Sequence, residues 1–398
     1  MQGAIRLKKV SIKKKFTEKI RQGYPLLLTE MIEGDIPEEG SVVQAEDMRG
    51  SFLATGYIGK QNKGSGWLLS WNQSETIDQE FFKLKITEAA AYRKPFFEDT
   101  ETTAFRLFNG EGDGVGGLTI DHYAGHYLFT WYSKGIYAFR DMILDAFEAV
   151  LPYDSIYEKK RFDSKGQYVE DDDFVRGERP TFPIVVKENS AHFAVYLNDG
   201  AMTGIFLDQR NVRQAIRNQY AEGKNVLNTF SYTGAFSVFA ALGGAVKTTS
   251  VDLANRSLPK TIEQFSMNAI DYEAQDILVR DVFRYFDYAV KNNVTYDLVI
   301  MDPPSFARSK KHTFSAAKDY KNLIKQAIDL TEKNGVMVAS TNAASFDMKK
   351  FRSFIDKAFK EKGRRYKIIE TFSLPDDFRT TPAFPEGDYL KVCMIKAG

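Results

Sequence analysis

Residues 296–310 read YDLVIMDPPSFARSK. Four apolar residues, Leu298 to Met301, run into a carboxylate, Asp302. Two prolines follow, then Ser305, Phe306 and the cations Arg308, Lys310 and Lys311. The apolar run predicts a strand buried on both faces. Pro303 and Pro304 fix φ and remove two N–H groups, which predicts a stiff loop whose carbonyls can point at a ligand. In open α/β sheets, ligands bind beyond the carboxyl ends of the strands near the switch point of strand order.

Working outward, strand-like and helix-like segments alternate from about residue 205. Candidate strands are 225–229, 246–251, 276–280, 296–301, 335–340, 367–372 and 389–395. Between most of them lie amphipathic helices. One has apolar positions 320, 323, 324, 327 and 328, with Gly335 as its stop; another has 348, 351, 355, 358 and 359. The fold class is therefore α/β, a doubly wound sheet.

Past the first strand comes NTFSYTGAFS (228–237), past the second Asp252, past the third Asp281, past the fourth DPPSF, and past the fifth STNAASF (340–346). The first loop has one glycine, Gly234, and lacks the several glycines that let a pyrophosphate approach the backbone. This argues against a nicotinamide-dependent oxidoreductase. Asp252 suits both hydroxyls of a ribose, and Asp281 with Phe283 suits an adenine. A nucleoside without pyrophosphate fits this set best, S-adenosylmethionine above all. Structural readings compete at each position: Asp252 as a helix cap, Gly234 and Asn342 as turn residues, Phe306 as a core plug.

These residues resemble a known family. TGIFLDQRNVR (203–213), FSYTGAFSVFAALGGA (230–245), SVDLANRSL (250–258), DPPSFARSK (302–310) and FPEGDYLK (384–391) resemble the class I methyltransferase domain of bacterial 23S ribosomal RNA methyltransferases that carry a PUA domain. NGEGDGVGGLTIDHY (109–123) is similar to the connecting domain of that group. GSVVQAEDMRGSFLATGYIG (40–59) resembles its PUA-like module more weakly. The resemblance implies a PUA-like RNA-binding β-barrel over 1–75, a small α+β connecting domain over 76–190, and an S-adenosylmethionine-dependent methyltransferase domain over 191–398.

It also implies roles. Phe206, Asp208 and Arg210 would line the methionine side of the cofactor, and Asn228, Phe230, Ser231, Tyr232, Thr233 and Gly234 would wrap that moiety. Asp252 and Leu253 would hold ribose, and Asp281, Val282 and Phe283 adenine. Asp302, Pro303, Pro304 and Phe306 would lie where methyl donor and base meet, with Asn342 on the base edge and Arg308, Lys310 and Lys311 on phosphates. The product would be S-adenosylhomocysteine.

Methylation at cytosine carbon 5 needs a cysteine whose thiolate adds to carbon 6. In the branch of the family that does this, the cysteine follows the fifth strand. The matching segment here, ASTNAASF (339–346), has none, and the single cysteine, Cys393, lies in an apolar terminal strand that suits core packing. Guanine N7 already offers a lone pair and needs orientation only. N7 methylation is therefore the expectation, with 5-methylcytosine formation and a non-catalytic, cofactor-binding RNA-binding protein as alternatives. Exocyclic amino methylation is a third chemistry; Asp302 could accept from an amine or from guanine N1–H.

Bulk properties agree. Net charge is +1, but residues 1–22 hold eight Lys or Arg against Glu18 alone, a candidate phosphate-facing surface or a solvated leader. No apolar run is long enough for a membrane span, and the basic N-terminus lacks a signal-peptide core. One cysteine permits no intramolecular disulfide, and four histidines form no cluster with metal-ligand spacing, so cytoplasmic residence and no bound metal are expected. The sequence leaves the oligomeric state open, a homodimer included.

Overall fold

The structure is a computed structural model that describes residues 7–61, 64–162, 172–200, 202–308 and 313–398. Backbone contacts group the chain into two compact units. One comprises Lys187–Val195, Gly204–Pro375 and Asp388–Gly398; the other comprises Met1–Val186, Tyr196–Thr203 and Asp376–Gly387. Among the described residues, no helix is long and apolar enough to cross a membrane.

The first of these units holds a seven-stranded sheet: β1 (Asn225–Thr229), β2 (Lys247–Asp252), β3 (Asp276–Val279), β4 (Tyr296–Met301), β5 (Thr331–Thr341), β6 (Tyr366–Phe372) and β7 (Lys391–Ala397). Their spatial order is 3-2-1-4-5-7-6. Neighbours from β3 to β5 pair in parallel, and β7 runs antiparallel between β5 and β6. The order reverses between β1 and β4, so the switch point lies at the end of the quoted strand. Leu298 to Met301 are fully buried, as a central parallel strand requires. Each such side chain contributes about 1.5–3 kcal/mol.

Helices flank the sheet with the expected faces inward. Tyr320, Leu323, Ile324, Ala327 and Ile328 of helix Ala316–Leu330 are buried, as are Phe351, Ile355, Ala358 and Phe359 of helix Met348–Glu361. Gly335 is not the stop of the first helix. The Thr331 hydroxyl donates to the Ala327 carbonyl at 2.7 Å as the helix ends at Leu330. Asn334 takes φ +64°, and Gly335 lies within β5.

The other unit contains a six-stranded sheet in the order 26–28, 64–70, 52–61, 42–46, 8–12, 32–33, with helix Lys14–Arg21. It also contains a five-stranded sheet, in the order 174–177, 155–160, 126–131, 118–123, 104–109. A helix runs over Gln79–Tyr92, and a short helix starts at Lys94 with Pro95 in its first turn. Helix Arg140–Glu148 buries Ile143, Leu144, Ala146 and Phe147, and Phe139 is buried just before its start.

The excursion Asp376–Gly387 is held here by a buried ionic network. Arg93 grips Asp113 with two bonds of 2.6 and 2.7 Å and donates to the Asp377 carbonyl at 2.7 Å. Asp377 Oδ2 accepts from the Arg106 N–H at 2.8 Å. Gly112, in the glycine-rich stretch after residue 109, passes so close that a Cβ would sit 1.8 Å from the Arg379 carbonyl oxygen. Only glycine fits there. Removing one partner of a fully buried pair strands the other charge. Asp113→Ala is expected to destabilise this unit by about 3–5 kcal/mol in chemical denaturation. A loss below about 1 kcal/mol, the value of a solvent-exposed pair, would contradict the network's role.

Candidate active site

The sheet register assembles the site. Thr229 of β1 pairs with Met301 of β4, and Met301 pairs with Ala339 of β5. Three strand-end continuations therefore start side by side at Phe230, Asp302 and Ser340.

Asp302 is the pivot. Gln209 Nε2 donates to Asp302 Oδ1 at 3.1 Å and to Ser340 Oγ at 2.7 Å, while the Ser340 side chain also hydrogen-bonds the carboxylate. Burial pushes the carboxyl up to about 6; the Ser340 bond opposes this, nearby Asp208 adds to it, and Arg213 and Gln209 oppose it. Gln209 Oε1 is buried without a hydrogen-bond partner among the described residues. Such an orphan costs about 1–3 kcal/mol. The Tyr320 hydroxyl donates to the Ser340 carbonyl at 2.6 Å and reaches the Met301 carbonyl at 3.3 Å, tying the ends of β4 and β5 together. Pro303 is buried and Pro304 exposed.

The loop after β1 is strained. Phe230 and Tyr232 hold φ of +55° and +52°, in the left-handed region that non-glycine residues avoid. Three bonds fix it: Ser231 N–H to the Val251 carbonyl at 3.1 Å, Tyr232 N–H to Asp252 Oδ2 at 2.9 Å, and Gly234 N–H to the Ser231 carbonyl at 2.8 Å. Gly234, at φ +79°, leads into helix Ala235–Leu242, and a Cβ there would lie 2.6 Å from Thr261 Cγ2. Thr233 is buried and donates to the Gly204 carbonyl at 2.6 Å. Asn228 is fully buried; Nδ2 donates to Ser237 Oγ at 2.9 Å, and Oδ1 has no partner among the described residues.

Asp252 has a local structural task, because Oδ1 also accepts from the Ala254 N–H at 2.8 Å. Each oxygen retains a second acceptor site. Leu253 beside it is exposed. Asp281 caps helix Val282–Lys291 through the Arg284 N–H at 3.1 Å, and Val282 is buried. Phe283 packs with Phe230 and Phe314, at centroid distances of 6.3 and 6.0 Å; Phe230 and Phe314 are 6.4 Å apart.

Phe206 is exposed and lies 5.3 Å from the Tyr232 ring. Asp208 accepts from the Tyr389 hydroxyl at 3.0 Å, and Arg210 is buried. Phe306 is 62% exposed, so it does not plug the core. It opens a hairpin, Phe306–Arg308 against Thr313–Ser315. Lys310 and Lys311 lie outside the described residues. Asn342 is exposed and accepts from Ser305 Oγ at 2.5 Å.

Sequence reasoning missed Gln209, Ser340, Tyr320, Phe314 and Lys391. Gln209 stands between two residues that were singled out, in FLDQR, yet only the register shows what it reaches. Lys391 is buried, donates to the carbonyls of Tyr389 at 2.8 Å and Ala343 at 3.2 Å and anchors the loop after β5; burial lowers its pKa.

Comparison with known proteins identifies the family. Residues 156–382 match the model of the S-adenosylmethionine-dependent methyltransferase family, and residues 10–71 match a PUA-like domain. The chain belongs to the S-adenosylmethionine-dependent methyltransferases. YwbD of Bacillus subtilis (strain 168), provisionally named a ribosomal RNA large subunit methyltransferase, is 62% identical over 394 residues, 98% of this chain and 100% of that one. Ribosomal RNA large subunit methyltransferase I of Aeromonas salmonicida (strain A449) is 32% identical over 370 residues, 92% of this chain and 93% of the relative. The solved structure of SMU.776 complexed with SAH has a TM-score of 0.92 at 40% identity, covering 98% of this chain and 100% of that one. The family assignment makes S-adenosylmethionine the methyltransferase's cofactor, and the fold is the class I methyltransferase sheet with an N-terminal PUA-like domain.

The buried carboxylate gives a stability prediction with a definite sign. An unfolded aspartate titrates near 3.9; Asp302 in the folded methyltransferase titrates at about 6. Its favourable contribution is present below the lower value and is lost as pH rises through the higher one. Asp302→Asn should therefore gain about 2–3 kcal/mol in stability at pH ~8 relative to pH ~4. Denaturation curves of both proteins at the two pH values check this; an equal difference at both would contradict it.

Proposed function

We propose that this methyltransferase modifies a base of large-subunit (23S) ribosomal RNA, at guanine N7, by direct in-line transfer. The relatives' names support the RNA class. One observation carries the choice of atom: Cys393, the only cysteine, cannot serve as a nucleophile. It is fully buried in β7, 3.8 Å from Met348 Sδ, and burial pushes its thiol up to about 11. No thiolate is available to activate cytosine carbon 5. That leaves a base atom that is already nucleophilic.

Bound S-adenosylmethionine supplies an electrophilic methyl group on a sulfonium. The chain's residues fit it. Asn228 Oδ1 is a buried acceptor without a partner among the described residues, suited to a donor such as the cofactor's ammonium; Asp208 and Arg210 would line the same end. Asp252 keeps acceptor capacity for two ribose hydroxyls, and Phe230, Phe283 and Phe314 offer an apolar slot for adenine beside Asp281. The N7 lone pair takes the methyl carbon, its bond to sulfur breaks, and S-adenosylhomocysteine leaves. No proton need be removed, so the protein's task is orientation, which can supply roughly 7–11 kcal/mol. Asp302, ionised above about 6, would accept from guanine N1–H or the exocyclic amine. The exposed Phe306 ring would stack on the extruded base, worth about 1–3 kcal/mol. Asn342 would offer its amide N–H groups to the base edge.

In the same reading, residues 1–75 grip RNA, 76–190 connect, and 191–398 catalyse. Within the basic leader, Lys8, Lys9, Lys13 and Arg21 are paired with Glu38, Glu46, Glu33 and Asp47. Lys14, Lys15 and Lys19 have no acid partner among the described residues, and they remain for phosphates.

Mass mapping of ribosomal RNA from strains with and without the gene tests the chemistry. Loss of one 7-methylguanosine is expected; loss of a 5-methylcytidine instead would overturn the choice. Replacing Lys14, Lys15 and Lys19 together with glutamate should flatten the salt dependence of RNA affinity by about two in log–log slope. An unchanged slope would remove this helix from the RNA surface.

A further inference from the structure

We propose that Gln209 is a positioning residue for methyl transfer: its side-chain amide holds the Asp302 carboxylate against the end of β5. The proposal rests on the reading of Asp302 given above. It starts from a closed triangle. Gln209 Nε2 reaches both Asp302 Oδ1 and Ser340 Oγ, at 3.1 and 2.7 Å, and Ser340 hydrogen-bonds the same carboxylate. Register alone sets Asp302 beside Ser340, one residue past the Met301–Ala339 pair. Gln209 adds a tie from outside the sheet, from the short turn Leu207–Gln209.

The orientation of the amide is dictated by charge. Turned over, it would set Oε1 against an ionised carboxylate, two acceptors facing each other. In the observed orientation both donor contacts are made and Oε1 is left buried with no partner among the described residues. A residue present only to fill this space would be served as well by leucine, with no orphan acceptor to bury. The fold keeps an amide here at a cost, and what the amide secures is the group facing the reacting base. Asp208, next to Gln209 in the chain, also acts on the Asp302 carboxylate through its charge.

The geometry also gives a pH signature. Gln209 hydrogen-bonds the ionised form of Asp302 and so favours ionisation. Without it, Asp302 would hold its proton to higher pH.

The test uses the full chain, with Gln209→Leu, Gln209→Glu, Asp302→Asn and the Leu/Asn double variant. Label transfer from S-adenosylmethionine to total ribosomal RNA is followed against pH. Gln209→Leu should lose about tenfold or more in kcat at pH ~6 and recover part of it at pH ~8. Its acid limb should move up by about one pH unit, and KM for the cofactor should stay within about threefold. Gln209→Glu, which sets a second carboxylate beside the first, should move the limb further. In denaturation at pH ~8, the Gln209→Leu and Asp302→Asn effects should be non-additive. An acid limb that stays in place with a uniform loss at every pH, or additive effects in the denaturation cycle, would overturn the proposal. The label count does not depend on which base is methylated. Transfer to a base atom other than guanine N7 would defeat the earlier reading and leave this one standing. Were ribosomal RNA no substrate, the denaturation cycle alone would decide.

Discussion

When β4 settles between β1 and β5, Asp302 is carried largely out of bulk water, and a carboxylate there needs donors. Ser340 and Gln209 supply them, Tyr320 fastens the strand ends that set their spacing, and buried Arg213 offsets some of the charge. Burial still pushes the carboxyl up to about 6, so the compensation is incomplete. An acceptor that is incompletely satisfied by its own protein remains available to a ligand.

The loop after β1 answers a different requirement. Two non-glycine residues in left-handed conformations would relax if left alone. Asp252 prevents this through the Tyr232 N–H, while retaining lone pairs for a second partner. One carboxylate thus shapes the loop and keeps capacity for a ligand. The structural and the ribose-binding readings of Asp252 do not exclude each other, because the residue types that cap and turn are the same types that can bind.

Much of the sheet was legible because buried parallel strands are written as uninterrupted apolar runs, and Leu298 to Met301 is such a run. Strand ends then located Asp252, Asp281 and Asp302 without further information. Side chains that reach across the fold were not legible. Gln209 and Ser340 meet across 131 positions, and nothing local in either segment announces it. Phe314 was hidden for a similar reason, on the return strand of a hairpin. Gly335 misled because a glycine after a helical run usually marks its end, whereas here a threonine hydroxyl terminates the helix first. The strain at Phe230 and Tyr232 breaks local preference, and sequence preference cannot reveal its own violation.

The path of the chain after β6 bears on how the site is supported. Before the last strand of the sheet is laid down, residues 376–387 run through the other unit, where Arg93 and Arg106 receive Asp377. Only then does the chain return with Tyr389, which reaches Asp208, and Lys391, which reaches the Ala343 carbonyl. Two supports of the candidate site therefore come from beyond the excursion, at the entry to β7, the strand that completes the sheet between β5 and β6.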